Sequence, residues 1–106
     1  MEQICIFGTM VNNVKIIECP RDAMQGIKSH FIPTQAKSTY INSLLKVGFD
    51  TIDFGSFVSP KAIPQMRDTA EVLSKLDLST TKSKLLAIVA NVRGANDASQ
   101  FEEIDY

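Results

Sequence analysis

The run "KLLAIVANV", residues 84–92, restricts the fold more than any other part of the chain. It shows no alternation of apolar and polar residues before Asn91. A strand with one face in water alternates with a period of two, so a run that is apolar at successive positions suits a strand covered on both faces, as in a parallel sheet. Parallel neighbours must be joined by crossovers, usually helices. Segments of helical period should therefore stand between this run and earlier strands.

They do. "NVKIIEC" (13–19) is a β-rich run stopped by Pro20 and reads as a strand, and "RDAMQGIKSHFIP" after it reads as a loop. In "QAKSTYINSLLKVG", Ala36, Tyr40, Ile41, Leu44 and Leu45 recur at helical spacing, with Thr34 placed to cap the start and Gly48 to end the helix. "FDTIDFGSF" (49–57) is the second strand, and "VSPKAIPQM", broken by Pro60 and Pro64, is a loop. "TAEVLSKL" follows as a helix, with Asp68 as its cap and Glu71 three residues on, the pattern of a capping box. After 84–92, "RGANDASQFEEIDY" begins a third helix on which Ala98, Phe101 and Ile104 share a face. The order predicts an α/β fold of parallel strands with right-handed crossovers. Residues 14–106 form one domain on this reading. Residues 1–13 stand apart as a leader, in which "ICIF" fits either an extra strand or a disordered segment.

Composition removes several classes of function. The 106 residues carry a net charge of −1, so no basic balance points to nucleic acid. No apolar stretch approaches the ~18 residues of a membrane span. "MEQICIFGTM" lacks the basic start of a secretory signal, which makes the cytoplasm the expected location. Cys5 and Cys19 have no second Cys or His near them, which argues against zinc and for two reduced thiols. His30 stands alone and reads as a loop residue, "QGIKS" lacks the spacing of a phosphate loop, and Met10, Met24 and Met66 read as packing residues.

In parallel α/β folds ligands bind at the carboxyl ends of the strands. The first end offers Glu18, Arg21, Asp22 and Gln25, the second Asp53 and Ser56, and the third Asn91 and Arg93. Asp53, between Ile52 and Phe54, must find a partner or a metal if it is buried. An arginine among carboxylates suits an anionic substrate with a divalent cation, because Arg binds carboxylate or phosphate in a fork and Asp is a hard oxygen ligand. The plain alternative is a solvated rim whose Arg21 and Asp22 form a loop ion pair of little weight.

"VKIIECPRDAMQ" followed by "TIDFGSFVSPKAIPQMRDTAEVL" resembles hydroxymethylglutaryl-CoA lyase. The most specific part is "SFVSPK-x-x-PQM"; isopropylmalate and homocitrate synthases share an Arg-Asp-x-x-Gln motif but not this loop. The likeness is strong over 14–76 and weaker over 84–106. It implies a TIM (β/α)8 barrel, of which this chain would hold the N-terminal two or three βα units with the barrel incomplete. It also implies cleavage of 3-hydroxy-3-methylglutaryl-CoA, an acyl-CoA, to acetoacetate and acetyl-CoA with a divalent cation, Mg2+ or Mn2+. Arg21 matches the catalytic arginine, Asp22 a metal ligand, Gln25 a glutamine near the substrate, and Ser56 a serine beside the acyl-CoA site. Asp53 stands in a catalytic acidic role where the family usually has glutamate.

Three departures accompany the resemblance. "ECPRDAMQ" lacks the glycine that often precedes the proline, and Asp53 is one methylene short of glutamate. The family's two histidine ligands, asparagine ligand and catalytic cysteine loop have no counterpart, and His30, Cys5 and Cys19 do not take those roles. A barrel needs ~250 residues, so the 106 are expected to be a piece of a longer lyase, inactive alone, with a bare sheet edge. A homo-oligomer is expected where the whole barrel is present. The alternatives are a non-catalytic interaction module derived from the barrel, and a related aldolase or acyltransferase.

Overall fold

A computed structural model describes residues 14–106 together with the backbone of 4–6 and 9–11. Strands β1 (Ile4–Ile6) and β2 (Thr9–Val11) pair antiparallel, Ile4 opposite Val11. "ICI" is therefore a strand; the side chains of the leader, Cys5 and Met10 included, lie outside the described residues.

The main sheet holds β3 (Ile17–Glu18), β4 (Thr51–Ser56) and β5 (Lys84–Ile88) in the order β3-β4-β5, with both pairs parallel. Helix α2 (Thr34–Leu45) connects β3 to β4, and α3 (Thr69–Ser74) connects β4 to β5. The expected α/β alternation with parallel strands is present, and the sheet is open rather than closed into a barrel. β4 is buried along its whole length because it lies between two strands and under the helices. Ile52 and Phe54 pack with Ile41 and Leu45 of α2, Val72 and Leu73 of α3, and Leu85 of β5. Phe54 is the extra residue at a bulge, since Asp53 pairs Leu86 while Gly55 pairs Ala87.

The structure corrects four local expectations. Pro20–Gln25 is a helical turn, α1, rather than loop. Pro20 sits at its first position, where its missing N–H leaves no bond unmade, and the Ala23 N–H donates to the Cys19 carbonyl at 3.2 Å. The last helix, α4 (Val92–Ala98), stops at Ala98, and Phe101 and Ile104 beyond it pack against the core. Thr34 and Asp68 do not cap: no side-chain cap bond closes α2 or α3, and the Thr34 hydroxyl instead donates to Asp68 Oδ2 at 2.6 Å. The inward face of α2 carries Lys37 and Ser38 with Ile41 and Leu45, whereas Ala36 and Tyr40 are exposed. Gly48 does end the α2 region as expected, at a φ of 100° that favours glycine.

The outer edge of β5 is not bare. The Tyr106 N–H donates to the Leu85 carbonyl and its own carbonyl accepts from the Ala87 N–H, each at 3.1 Å, which is the pattern of a parallel ladder centred on Leu86. Asp105 Oδ2 accepts from the Leu85 N–H at 2.9 Å. Exposed Val14, Ile16 and Ile17 lie at the β3 side.

Candidate functional site

Because β3, β4 and β5 are parallel, their carboxyl ends share one rim, as the sequence leads one to expect. β3 runs through Cys19 into α1, so Arg21 emerges at this rim and turns toward the adjacent strand. Asp53 of β4 meets it. Arg21 Nε lies 3.2 and 3.1 Å from the two Asp53 carboxylate oxygens, and Nη2 donates to Oδ2 at 2.7 Å. Nη1 donates to Gln25 Oε1 at 2.9 Å, one helical turn on. The pair is largely withdrawn from water: the side chains are 14% and 5% exposed for Arg21 and Asp53.

A buried carboxylate needs a partner, and here the partner is the arginine. Bonding to Asp53 raises the Arg21 guanidinium above its ordinary value, against the opposing effect of burial. Arg21 is thus a fixed, permanent cation. A guanidinium has five N–H groups, and the three engaged with Asp53 and Gln25 leave two for an anion. The neighbouring Cys19 thiol is pushed up by desolvation and by the Asp53 carboxylate, which disfavours its thiolate.

The other residues singled out from sequence are placed less alike. Asp22 is 70% exposed and 3.7 Å from Arg21 Nη1, a solvated carboxylate at the rim. Ser56 is buried at the end of β4; its N–H donates to Thr69 Oγ1 at 3.0 Å and its hydroxyl oxygen accepts from the Val58 N–H at 3.1 Å. Asn91 caps α4, accepting from the Gly94 N–H at 2.9 Å, so its side chain serves the fold, and Arg93 is exposed. His30 is an exposed loop residue beside Ser29, and Met24 and Met66 are buried, each as expected. Among the described residues no three His, Cys, Asp or Glu side chains lie together. Asp22 alone does not make a metal centre, and a full ligand set does not fit the residues described.

The sequence reading passed over a second set. Lys37 is 2% exposed, and its ammonium donates to Asp68 Oδ1 at 2.6 Å and to the Gln65 carbonyl. The Gln65 side chain accepts from the Ile32 N–H at 2.8 Å and donates to the carbonyls of Ile27 and His30 at 2.8 and 3.0 Å. Lys37 Nζ and Arg67 Cζ lie 4.1 and 3.6 Å from the Phe31 ring centroid. One clue was available: Lys37, Ile41 and Leu45 are spaced by four, so the lysine belongs to the inward stripe. Beside this cluster a cleft of about 650 Å³ runs from Gln25 past Lys28, His30 and Phe31 to Ile63 and Arg67, its lining mostly apolar with Lys28 and Arg67 as its cations.

Comparison with known proteins follows these motifs. No protein-family profile matches the chain. Over 67 residues, 62% of this chain, it is 46% identical to the mitochondrial hydroxymethylglutaryl-CoA lyase of Mus musculus. It is 46% identical over 61 residues to a cytoplasmic 3-hydroxy-3-methylglutaryl-CoA lyase of Rattus norvegicus. An HMG-CoA lyase of Acinetobacter baumannii, solved in complex with coenzyme A and 3-methylmalate, superposes with a TM-score of 0.74 and 38% identity, covering 81% of this chain and 28% of that one. No helix among the described residues is long and apolar enough to cross a membrane. The chain spans about a fifth of the length of the curated relatives it matches, and over that fifth it is a homologue of the HMG-CoA lyases.

Proposed function

We propose that this chain supplies the first βα units, residues 14–106, of a carbon–carbon lyase that cleaves 3-hydroxy-3-methylglutaryl-CoA to acetoacetate and acetyl-CoA. The observation that carries the reading is Arg21, a cation held by Asp53 and Gln25 at the strand-end rim with two N–H groups to offer. In this cleavage the tertiary hydroxyl loses its proton, its oxygen becomes the ketone of acetoacetate, and the C–C electron pair passes to the departing acetyl-CoA enolate, which then takes up a proton. A fixed cation at the enolate oxygen stabilises the charge where it develops.

Asp53 orients that cation, and Gln25 completes its hold beside the substrate. The cleft along Lys28, His30, Phe31 and Arg67 suits the coenzyme A portion, since it joins apolar lining to positive charge. Ser56 lies at the end of the same strand as Asp53 and belongs to the acyl-CoA side of the rim. A divalent cation, Mg2+ or Mn2+, would supply charge stabilisation, and Asp22 is the oxygen ligand this chain would contribute to it. Cytoplasmic location and assembly of complete barrels into a homo-oligomer belong to the same reading.

The test is acetoacetate formation from 3-hydroxy-3-methylglutaryl-CoA with magnesium or manganese. The protein as its source makes it should turn over, and Arg21→Gln should lower its rate by about 10³-fold, as for loss of an oxyanion donor. The 106 residues alone should make none. Absence of acetoacetate from the source protein, or undiminished turnover in Arg21→Gln, would remove the proposal.

A further inference from the structure

The segment after α1 is held in an unusual way. Among the described residues, no backbone group within 28–32 is bonded to another backbone group. What fixes the segment is one side chain from across the cleft, Gln65, which takes the Ile32 N–H and gives its two N–H groups to the carbonyls of Ile27 and His30. Its amide thereby makes three bonds, two donated and one accepted, to three residues of the facing segment. Gln65 is itself anchored from behind: its carbonyl accepts from the buried Lys37 ammonium, which is in turn held by Asp68, and Asp68 also accepts from Thr34. The Phe31 ring adds a second tie, with Lys37 and Arg67 both over it. Gln65 therefore joins the two walls of the cleft, residues 26–31 on one side and 62–67 on the other.

We infer that Gln65 is a positioning residue that sets the wall of the cleft receiving the coenzyme A portion of an acyl-CoA; the inference rests on the reading of that cleft proposed above. Gln65 acts through the backbone of Ile27, His30 and Ile32, which brackets Lys28, and not on the reacting atoms. A loop with no ladder bonds of its own is ordered by these three contacts, so their loss leaves the binding conformation only partly populated. Apparent affinity falls by that fraction: a wall ordered a tenth of the time weakens binding about tenfold.

The test uses the protein as its source makes it, with coenzyme A as the probe in isothermal titration and hydrogen exchange of the backbone amides. Gln65→Glu keeps the acceptor and removes both donors; Gln65→Met keeps the volume and brings no charge inside, which protects the test if the first variant folds poorly. In both, the amides of 28–32, Ile32 above all, should exchange about tenfold faster or more while those of Thr51–Ser56 stay protected. The dissociation constant for coenzyme A should rise about tenfold with stoichiometry unchanged. A purely structural role would instead lower the stoichiometry of competent protein and leave the constant alone, and that result overturns the inference. So does an unchanged constant with a loosened loop, while the lyase reading stands. Failure of the wild-type protein to bind coenzyme A overturns both.

Discussion

Lys37→Met tests the buried pair beneath the cleft. Methionine keeps an unbranched stem in the space and removes only the ammonium. Asp68, 6% exposed, is then left with a single hydrogen bond, from the Thr34 hydroxyl. Removing one partner of a buried ion pair costs about 3–5 kcal/mol, because an uncompensated charge stays inside. Against a total of about 5–15 kcal/mol for a domain of this size, that is a large share. The chain has no Trp, so urea unfolding is best followed by circular dichroism. With a slope of about 1 kcal/mol/M, the midpoint should fall by ~3 M or more. Asp68→Asn should also destabilise, by leaving the ammonium without its counter-charge. The double variant should be less damaged than the sum of the two by about 1–3 kcal/mol, since both singles break the same contact. A loss under about 1 kcal/mol in Lys37→Met, or additivity within ~0.5 kcal/mol, would show that the pair is not the anchor described.

Gly55→Ala would place a Cβ 2.5 Å from Thr69 Cγ2; overpacking should cost about 1–3 kcal/mol, and Thr69→Ser, which removes that methyl and keeps the hydroxyl bonded to Ser56, should recover part of the lost melting temperature. Asn91→Ala removes the acceptor of the Gly94 N–H and should destabilise by about 0.5–2 kcal/mol in urea. Cys19, its thiol raised by desolvation and by Asp53, should react with iodoacetamide at pH 7.5 more slowly than an unfolded cysteine, because a raised value means less thiolate at a given pH; Asp53→Asn should speed it, and peptide mass spectrometry reads both.

How far the fold could be read differs by element. The strand–helix alternation was legible because periodicity reports burial, and β4 is buried along its whole length; β5 falls short of the expected cover on both faces, with Leu85 buried, Leu86 to Ile88 half-buried and Lys84 exposed. The cap assignments were not, because Thr34 and Asp68 have cap chemistry by type but bond each other across 34 positions of sequence, and Asp68 also takes the Lys37 ammonium across 31, pairings that no local pattern announces. α1 was missed for a related reason: its six residues are too few to show a period, and Pro20 reads as a stop when it is also a good first residue. At the site, Arg21, Gln25 and Asp53 were named correctly as neighbours at one rim. What pattern could not supply was the pairing itself, with the carboxylate serving the arginine.

That pairing ties the site to the sheet. Asp53 is fixed by its place on β4, opposite Leu86 of β5, and Arg21 by a helix separated from β3 only by Cys19. The cation is therefore positioned by the register of adjacent parallel strands, not by a loop free to move. Its charge is secured by the same contact. The folded-state value of Arg21 is raised, so the stability it contributes is fully present below the ordinary arginine value and is lost only as pH rises through the higher folded one. Arg21 therefore keeps its charge throughout the neutral range. Any pH dependence of the proposed cleavage between about pH 5 and 9 must then arise from a group other than this arginine. The role left to Arg21 is that of a fixed electrostatic partner, which takes no part in moving the hydroxyl proton.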